Sequence, residues 1–205
     1  MQGKTHLAVG AATALAVLQP QTMPDLFVGA GIAMIGGVIC DIDVGTSESH
    51  EKADKVIAFS ILMIGALAVI EGIWHIGIIE RIMADSNLTR IALSTIVLLI
   101  LCAFGKEQPH RSFMHSFLGC AALTGCIAVI LPPAAPYFGV GFLSHMAIDF
   151  LNRKGLQLFY PFKLRISLKL CSTTGQVDKA LRWIGTIAAL VLFIYYFYKI
   201  GNGWS

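Results

Sequence analysis

The chain has 205 residues, of which 56% are hydrophobic and only 13% are charged, and its mean hydropathy is +0.74. Soluble globular domains carry about 25% charged residues, so this composition excludes an ordinary soluble domain. Because the apolar residues occur in long runs, the sequence predicts an all-α, polytopic membrane helical bundle. The net charge of +3 then bears on membrane orientation, and no direct binding of nucleic acid is predicted from it.

Seven apolar segments predict about seven spans within a single integral membrane domain, residues 1–205. They cover approximately residues 7–18, 26–40, 56–79, 91–104, 117–131, 136–150 and 184–200. The segments at 7–18 and 91–104 are shorter than the roughly 20 residues of a straight span, so we expect short or re-entrant helices there. The first segment also fits a signal peptide. The favoured alternative is a retained first helix that ends near Pro20 and keeps His6 at its entrance.

The positions of the basic residues predict the orientation in the membrane. If the N-terminus is cytoplasmic, only Arg81, Arg90 and Lys199 of the 15 Lys and Arg residues fall on the opposite side. Cytoplasmic loops retain Lys and Arg, so the N-terminus is predicted inside and the C-terminus outside. Residues 152–183 then form a basic cytoplasmic connection.

Within that connection, the sequence FYPFKLRISLKL alternates apolar with polar or basic residues from Leu164 to Leu170. This period of two predicts a short strand or hairpin on the inner face. Its leucines would lie at the membrane interface and its cations would meet anionic headgroups. A solvated basic loop that only sets the topology is the alternative.

Four polar clusters interrupt the apolar segments, and the predicted topology puts all four at the cytoplasmic face. They are His6, Asp41 and Asp43 in CDID, His110 and His115 in HRSFMHS, and His145 and Asp149 in SHMAID. Ionisable residues in membrane segments are costly and usually face the bundle interior or a polar cavity. His145 and Asp149 are four residues apart and share one helix face. Each cluster alone has an ordinary structural explanation, but together they predict a His/Asp metal site.

Several other polar residues have weaker claims to function. Arg111 lies between the two histidines of HRSFMHS, and its fork-shaped guanidinium suits a phosphate or carboxylate, although a topology-determining charge is the alternative. His75 and Glu71 are four residues apart and are interpreted as a helix-packing pair outside the site. The five cysteines form no CxxC pair and are predicted to be reduced, structural thiols.

The order and spacing of the four clusters resemble the bacterial family of membrane-bound, metal-dependent hydrolases related to the LexA-binding inner-membrane protein. The similarity runs from residue 3 to about 170 and includes Gly155 and the FYPF sequence. It implies a helical protein of the bacterial inner membrane with His and Asp metal ligands. A more distant similarity to zinc-dependent phospholipases C implies phosphoester chemistry.

The chain departs from the family pattern at two positions. Val44 stands where the family commonly has a histidine, and Pro109 stands where it has a glycine. The first departure removes one possible ligand and puts a second metal ion in doubt. Whether His50 replaces that ligand from the following loop is left open.

The resulting hypothesis is a membrane-bound hydrolase that acts on a phosphoester of a lipid or lipid-linked substrate at the inner membrane face. The predicted metal ligands are His6, Asp41, Asp43, His110, His115, His145 and Asp149. They exceed the needs of one four-coordinate ion, so one or two divalent ions are predicted, with Zn favoured and Mn or Fe left open. In this hypothesis activated water attacks the phosphorus, Arg111 steadies the anionic oxygens, and Asp43 or Asp149 transfers the proton.

Two alternatives belong to other functional classes. One is a transporter of metal ions or small solutes, and the other is a membrane protein whose metal is structural and which binds a cytosolic partner. Transporter sites usually lie near the bilayer midplane, often between repeated halves. The ligands of this chain lie at one predicted face and no internal repeat is apparent, which favours the hydrolase. The oligomeric state is left open.

Overall fold

The structure is a computed structural model that describes residues 1–45, 48–74, 85–171 and 175–203. These residues form seven α-helices, which confirms the predicted all-α class. The helices are α1 (Gly3–Leu18), α2 (Met23–Ile39), α3 (Glu48–Trp74), α4 (Ser86–Glu107), α5 (Phe117–Ile130), α6 (Ala135–Phe150) and α7 (Gln176–Gly201). The predicted Glu71–His75 pair includes a residue, His75, that lies outside the described residues.

Polar side chains fix where several helices begin. The Thr22 hydroxyl accepts a hydrogen bond from the Asp25 amide at the start of α2, at 3.2 Å. The Ser116 hydroxyl accepts from the Gly119 amide at the start of α5, at 3.0 Å. Such caps satisfy amides that have no partner within the helix. The cap at Ser116 holds His115 directly before the first turn of α5.

Small residues allow three helices to approach one another closely. Helix α1 packs against α2, α6 and α7, and α2 packs against α6. A Cβ atom added at Gly37 would lie 2.7 Å from the backbone oxygen of His6, and one added at Gly141 would overlap the backbone of Ala33. Spacings of four between small residues favour close packing of membrane helices. The contact between Gly37 and His6 places α1 directly over the end of α2 that leads into CDID.

Three helical segments of the described residues are long and apolar enough to cross a membrane. They are Met23–Asp43, Ser86–Glu107 and Gln176–Gly201, with 21, 22 and 26 residues. Helices α1 and α5 are apolar but shorter, and α1 therefore agrees with the predicted short first helix. The prediction of a short helix at 91–104 is wrong. Asp85 caps the helix ahead of the apolar run, accepting from the Asn87 and Leu88 amides at 2.8 and 3.3 Å, and α4 runs on to Glu107.

The prediction of a strand or hairpin in the 152–183 connection is also wrong for the part that the structure describes. Residues 152–171 form only isolated bridges, one antiparallel between Leu156 and Ile166 and one parallel between Asn152 and Cys171. The alternating segment bonds instead to the end of α6, because the amides of Leu168 and Leu170 donate to the carbonyls of Phe150 and Leu151. The helix end offers free carbonyls, and these replace a partner strand.

The helix ends that carry the four polar clusters contact one another, so all four lie at the same end of the bundle. We expect this end to face the cytoplasm, because both segments 105–116 and 152–183 are rich in Lys and Arg. In a variant without native cysteines, Glu107→Cys and Arg153→Cys, both at exposed positions, should react with a membrane-impermeant maleimide in inverted vesicles but not in intact cells. Gln21→Cys, at the other end of α1, should show the reverse. Labelling of both Glu107→Cys and Arg153→Cys in intact cells would contradict this orientation.

Candidate metal centre

The four polar clusters meet at one end of the bundle. His6 comes from the start of α1, Asp41 and Asp43 from the 3₁₀ turn Cys40–Asp43 after α2, His110 and His115 from the loop before α5, and His145 and Asp149 from the end of α6. Their donor atoms form three overlapping groups, each with its atoms within 4.8 Å of one another. The groups are His6, Asp41 and His145; Asp43, His110 and His115; and His115, His145 and Asp149. All seven predicted ligands are therefore brought together.

The innermost part of the cluster contains three histidines that are fully buried, His6, His115 and His145. The Nε2 atoms of His145 and His115 lie 3.1 Å apart, and the rings of His6 and His145 stack with centroids 3.7 Å apart. His6 Nε2 lies 3.4 Å from Asp149 Oδ1. Two ligand atoms bound tetrahedrally to one Zn ion at about 2.1 Å lie about 3.4 Å apart. These separations therefore suit donor atoms that share a cation.

The tautomer of His145 is set by its surroundings. Its Nδ1 lies 2.7 Å from the carbonyl oxygen of Gly37, and a carbonyl only accepts hydrogen bonds, so Nδ1 carries the hydrogen. Nε2 then presents a lone pair toward His115 and toward Asp41, whose Oδ1 lies 3.8 Å away. Metal-binding histidines commonly donate their other N–H to a backbone carbonyl in this way.

Unpartnered nitrogens provide a test of whether a metal ion fits this cluster. Within the described residues, both ring nitrogens of His6 and Nδ1 of His115 are buried and make no hydrogen bond, although Asp149 Oδ1 lies 3.4 Å from His6 Nε2 and Asp43 Oδ2 lies 3.2 Å from His115 Nδ1. Buried polar atoms normally have a partner, and leaving them without one costs free energy. A cation would accept a lone pair from each imidazole and compensate the buried carboxylates of Asp43 and Asp149. The side chains present therefore fit a divalent metal ion.

Asp43 differs from the other carboxylates because it is held by the loop that carries two of the histidines. Its Oδ1 lies 2.8 Å from His110 Nδ1, and its Oδ2 accepts the Arg111 amide at 3.0 Å and lies 3.2 Å from His115 Nδ1. This geometry resembles the carboxylate–histidine pairs that orient metal ligands from behind. His115, with Nδ1 toward Asp43 and Nε2 toward His145, connects the two halves of the cluster.

Arg111 adopts a left-handed backbone conformation with φ of 67°. This conformation is strained for a residue with a side chain and persists only where the surroundings fix it. The Arg111 carbonyl accepts the Gln157 amide at 2.9 Å, Nη1 donates to the Lys154 carbonyl, and Nη2 donates to Asp149 Oδ2 at 2.8 Å. The strained turn thus directs the guanidinium onto Asp149, a predicted metal ligand.

A cavity of about 250 Å³ connects this cluster to the surface. Its lining includes two carboxylates, one histidine and two cationic residues: Asp41, Asp149, His110, Arg111 and Lys154. Val44, which stands in place of the family histidine, forms part of the wall. A space with cationic groups beside potential metal ligands favours an anionic guest such as a phosphate.

His50 does not replace the missing family histidine. Its Nδ1 lies 2.5 Å from the carbonyl oxygen of Ile42, its Nε2 lies 3.6 Å from Asp54, and the three groups of candidate ligands in the described residues do not include it. Asp54, the partner of His50, also accepts a hydrogen bond from Lys106, which lowers the pKa of the Asp54 carboxyl. His50 therefore braces the turn that carries Asp41 and Asp43 from outside.

Three contacts of the site region, made by Asp149 and Asp178, were not found from the sequence. The amino group of Met1 lies 2.5 Å from Asp149 Oδ1. The buried carboxylate of Asp178, on α7, accepts from the Gln2 amide at 3.1 Å and from the Thr5 hydroxyl at 2.9 Å. Asp178 thereby anchors the start of α1 beside His6. No local pattern links residues so far apart in the chain.

The contribution of the Gly37 backbone to the site was also not predicted, although the sequence contains a pattern that indicates close helix packing at Gly37. Gly29, Ala33 and Gly37 recur every four residues on α2, a spacing typical of closely packed membrane helices. Gly37 both approaches His6 and accepts the hydrogen bond from His145. The pattern indicates the helix contact, whereas the hydrogen bond is visible only in the structure.

A family model described as YdjM inner membrane protein matches residues 1–203. No curated protein and no solved structure matches the chain. The family match covers nearly the whole chain and confirms the resemblance found from the four motifs. The chain therefore belongs to the family of YdjM inner membrane proteins.

Proposed function

We propose that this inner membrane protein is a metal-dependent hydrolase of phosphoesters. One observation carries the proposal: seven His and Asp side chains converge in a buried cluster that opens into a cavity lined by Arg111 and Lys154. The cluster provides ligands for a divalent cation, and the cavity provides cationic groups for an anionic substrate. A site with both features suits hydrolysis of a phosphoester.

The donor set supports Zn as the preferred ion, with Mn or Fe as alternatives, because it combines imidazoles with carboxylates. His6, His115, His145, Asp41 and Asp149 would hold an ion in the buried part of the cluster. His110, beside Asp43 at the cavity, would contribute to a second ion. A divalent ion held there would supply Lewis acidity to activate water and polarise a phosphoryl oxygen.

The protein side chains are assigned distinct roles in this proposal. Arg111 binds the anionic oxygens of the phosphoester, since its guanidinium lines the cavity and is suited to phosphate oxygens. Asp149 accepts and returns the proton, because its carboxylate borders the cavity. Asp43, the other carboxylate predicted for this role, is 7% exposed and engaged with His110 and the Arg111 amide. We assign Asp43 to orienting the histidines.

A lipid or lipid-linked phosphate at the cytoplasmic face is the proposed substrate class. The cluster lies where several helices of a membrane protein end, and a phosphate group at the membrane surface would reach a cavity there without leaving the bilayer. This position argues against transport of metal ions, because transporter sites usually lie near the bilayer midplane.

Replacing Arg111 by Lys should separate substrate binding from metal binding. Lysine keeps the positive charge but lacks the planar fork that holds two phosphate oxygens, so kcat/KM for a phosphoester should fall by about tenfold or more. Metal content measured by mass spectrometry should be unchanged. Arg153→Lys, at an exposed position, is the matched control. Equal activity of Arg111→Lys and Arg153→Lys would exclude the proposed contact with phosphate.

The proposed function itself requires a direct assay. Purified protein in nanodiscs, supplied with Zn or Mn, should release phosphate or a phosphorylated headgroup from a panel of phospholipids and lipid-linked phosphates. A metal-uptake assay in proteoliposomes should run beside it. Metal uptake that requires Asp149, together with an absence of hydrolysis across the panel, would overturn the hydrolase and support the transporter. Metal retention with neither activity would support the partner-binding protein.

A further inference from the structure

The segment 158–170, which follows α6, exposes an unusual number of large apolar side chains. They are Phe159, Phe162, Leu164, Leu168 and Leu170, with exposed fractions of 52%, 71%, 58%, 51% and 71%. Three cationic residues, Lys163, Arg165 and Lys169, are interspersed among them and are also exposed. In water such an apolar surface is unfavourable.

This segment is held in place by buried polar groups. Leu156 and Ile166 exchange two backbone hydrogen bonds of 2.9 and 3.0 Å. The side chain of Gln157, only 7% exposed, donates to the carbonyls of Pro161 and Phe162 at 3.3 and 2.8 Å. The apolar side chains are therefore displayed by a fixed turn.

The apolar surface of the segment continues onto the helices. The Phe117 amide donates to the Leu158 carbonyl at 3.0 Å, and the ring of Phe117 lies 5.6 Å from that of Phe159. Phe117 and Leu143, on α5 and α6, are themselves 47% and 44% exposed. Together with Leu158 they border an apolar cavity of about 220 Å³. The segment thus extends the outer apolar surface of the bundle at the end that carries the metal cluster.

We propose that segment 158–170 lies in the headgroup region of the lipid leaflet next to the metal cluster, and that this leaflet surface is anionic. Phenylalanine and leucine would enter the boundary of the acyl chains, while Lys163, Arg165 and Lys169 would contact lipid phosphates. Long cationic side chains can reach the headgroups while their stems cover apolar surface. The charge pattern distinguishes this occupant from an apolar protein partner.

Hydrogen bonds connect the backbone next to the proposed membrane-contacting segment to the Arg111 turn of the metal cluster. The Gln157 amide donates to the Arg111 carbonyl, and Arg111 Nη1 donates to the Lys154 carbonyl. Gln157, whose side chain donates to the carbonyls of Pro161 and Phe162, therefore links the turn that would enter the leaflet to the strained turn that directs Arg111. On the proposed hydrolase function, this arrangement selects a substrate whose phosphate lies at headgroup depth.

Fluorescence quenching can measure the depth of the segment without reference to activity. In a variant whose Trp74, Trp183 and Trp204 are replaced by Phe, Phe162→Trp and Leu170→Trp would serve as independent reporters in nanodiscs. Both positions are 71% exposed, so the substitutions should not disturb packing. Lipids that carry a quencher near the headgroup should quench both reporters, while acrylamide in water should quench them weakly. Gln21→Trp, in the polar connection between α1 and α2, is the aqueous control.

The proposed preference of segment 158–170 for anionic lipids can be tested separately. Replacing Lys163, Arg165 and Lys169 together by Gln should reduce the enrichment of phosphatidylglycerol over phosphatidylcholine among co-purified lipids by about tenfold. The double variant Arg90→Gln/Lys199→Gln, at the other end of the bundle, should retain that enrichment. Unchanged enrichment in the triple variant would overturn the anionic selection.

Failure of the proposed membrane contact can be distinguished from failure of the proposed hydrolase function. If both tryptophan reporters are quenched by acrylamide as strongly as Gln21→Trp and not by labelled lipids, the segment lies in water and the membrane contact is wrong. Its apolar surface would then belong to a protein partner. Quenching by lipids in a protein that hydrolyses no phosphoester would support the membrane contact and count only against the proposed function.

Discussion

Replacement of Asp149 by Asn should lower the metal occupancy of the purified protein by about tenfold or more. The two side chains have nearly the same shape, but Asn lacks the negative charge that lies 3.4 Å from His6 Nε2 and 2.8 Å from Arg111 Nη2. Hydrolysis should fall with the metal, because the variant also loses the proposed proton acceptor. Metal content by mass spectrometry and turnover in nanodiscs provide the two measurements.

Asp178→Asn is the matched control for loss of a buried carboxylate. Asp178 is 1% exposed, as is Asp149, but lies outside the three groups of candidate ligands. Both of its hydrogen bonds, from Gln2 and Thr5, go to a single oxygen that Asn retains. The control should therefore keep its metal. Equal metal content in Asp149→Asn and Asp178→Asn, with unchanged melting temperatures, would exclude Asp149 from the metal centre.

Replacement of Gly37 by Ala should disrupt the site through the backbone. The new Cβ would lie 2.7 Å from the His6 oxygen and 3.3 Å from its carbonyl carbon, and neither atom can move without shifting α1. Overpacking of this kind costs about 1–3 kcal/mol. The shift also separates His6 from His145, whose Nδ1 donates to the Gly37 carbonyl. We expect a lower melting temperature in detergent and a loss of bound metal.

Gly31 provides the control for this substitution on the same helix. A Cβ atom added at Gly31 meets nothing within 4 Å, and Ala favours helix more than Gly does. Gly31→Ala should therefore match or exceed the parent protein in melting temperature and retain its metal. A Gly37→Ala variant that behaves like Gly31→Ala in both measurements would contradict the close contact between α1 and α2.

The helical class and the choice of candidate ligands could be derived from local sequence. Apolar runs identify membrane helices because a lipid environment demands internally bonded backbone. His and Asp residues within or beside such runs are costly unless they face a polar site, and this cost indicated the candidate ligands. Helix boundaries were less well determined. Asp85 starts α4 ahead of its apolar run, since a cap is a hydrogen-bonding feature that hydropathy does not register.

The 152–183 connection shows why a periodic pattern can mislead. Its alternation of leucines with cations is typical of a strand, yet Leu168 and Leu170 bond to the last carbonyls of α6. A strand requires a partner with matching register, and no local sequence feature shows whether a partner or a helix end is closer. The same alternation also suits a segment at the lipid surface, because a half-buried strand and a membrane surface both place apolar side chains on one side and charged side chains on the other.

The sequence by itself determined that this is a polytopic helical membrane protein with His and Asp residues suited to a metal, because composition and residue type are local properties. Only the tertiary structure decided how those residues are arranged. It separated Asp43, which contacts His110 and His115, from Asp149, which lines the cavity. It also showed that His50 braces the Asp41–Asp43 turn from outside. These distinctions depend on which side chains approach within hydrogen-bonding distance of one another, and helix packing sets those distances.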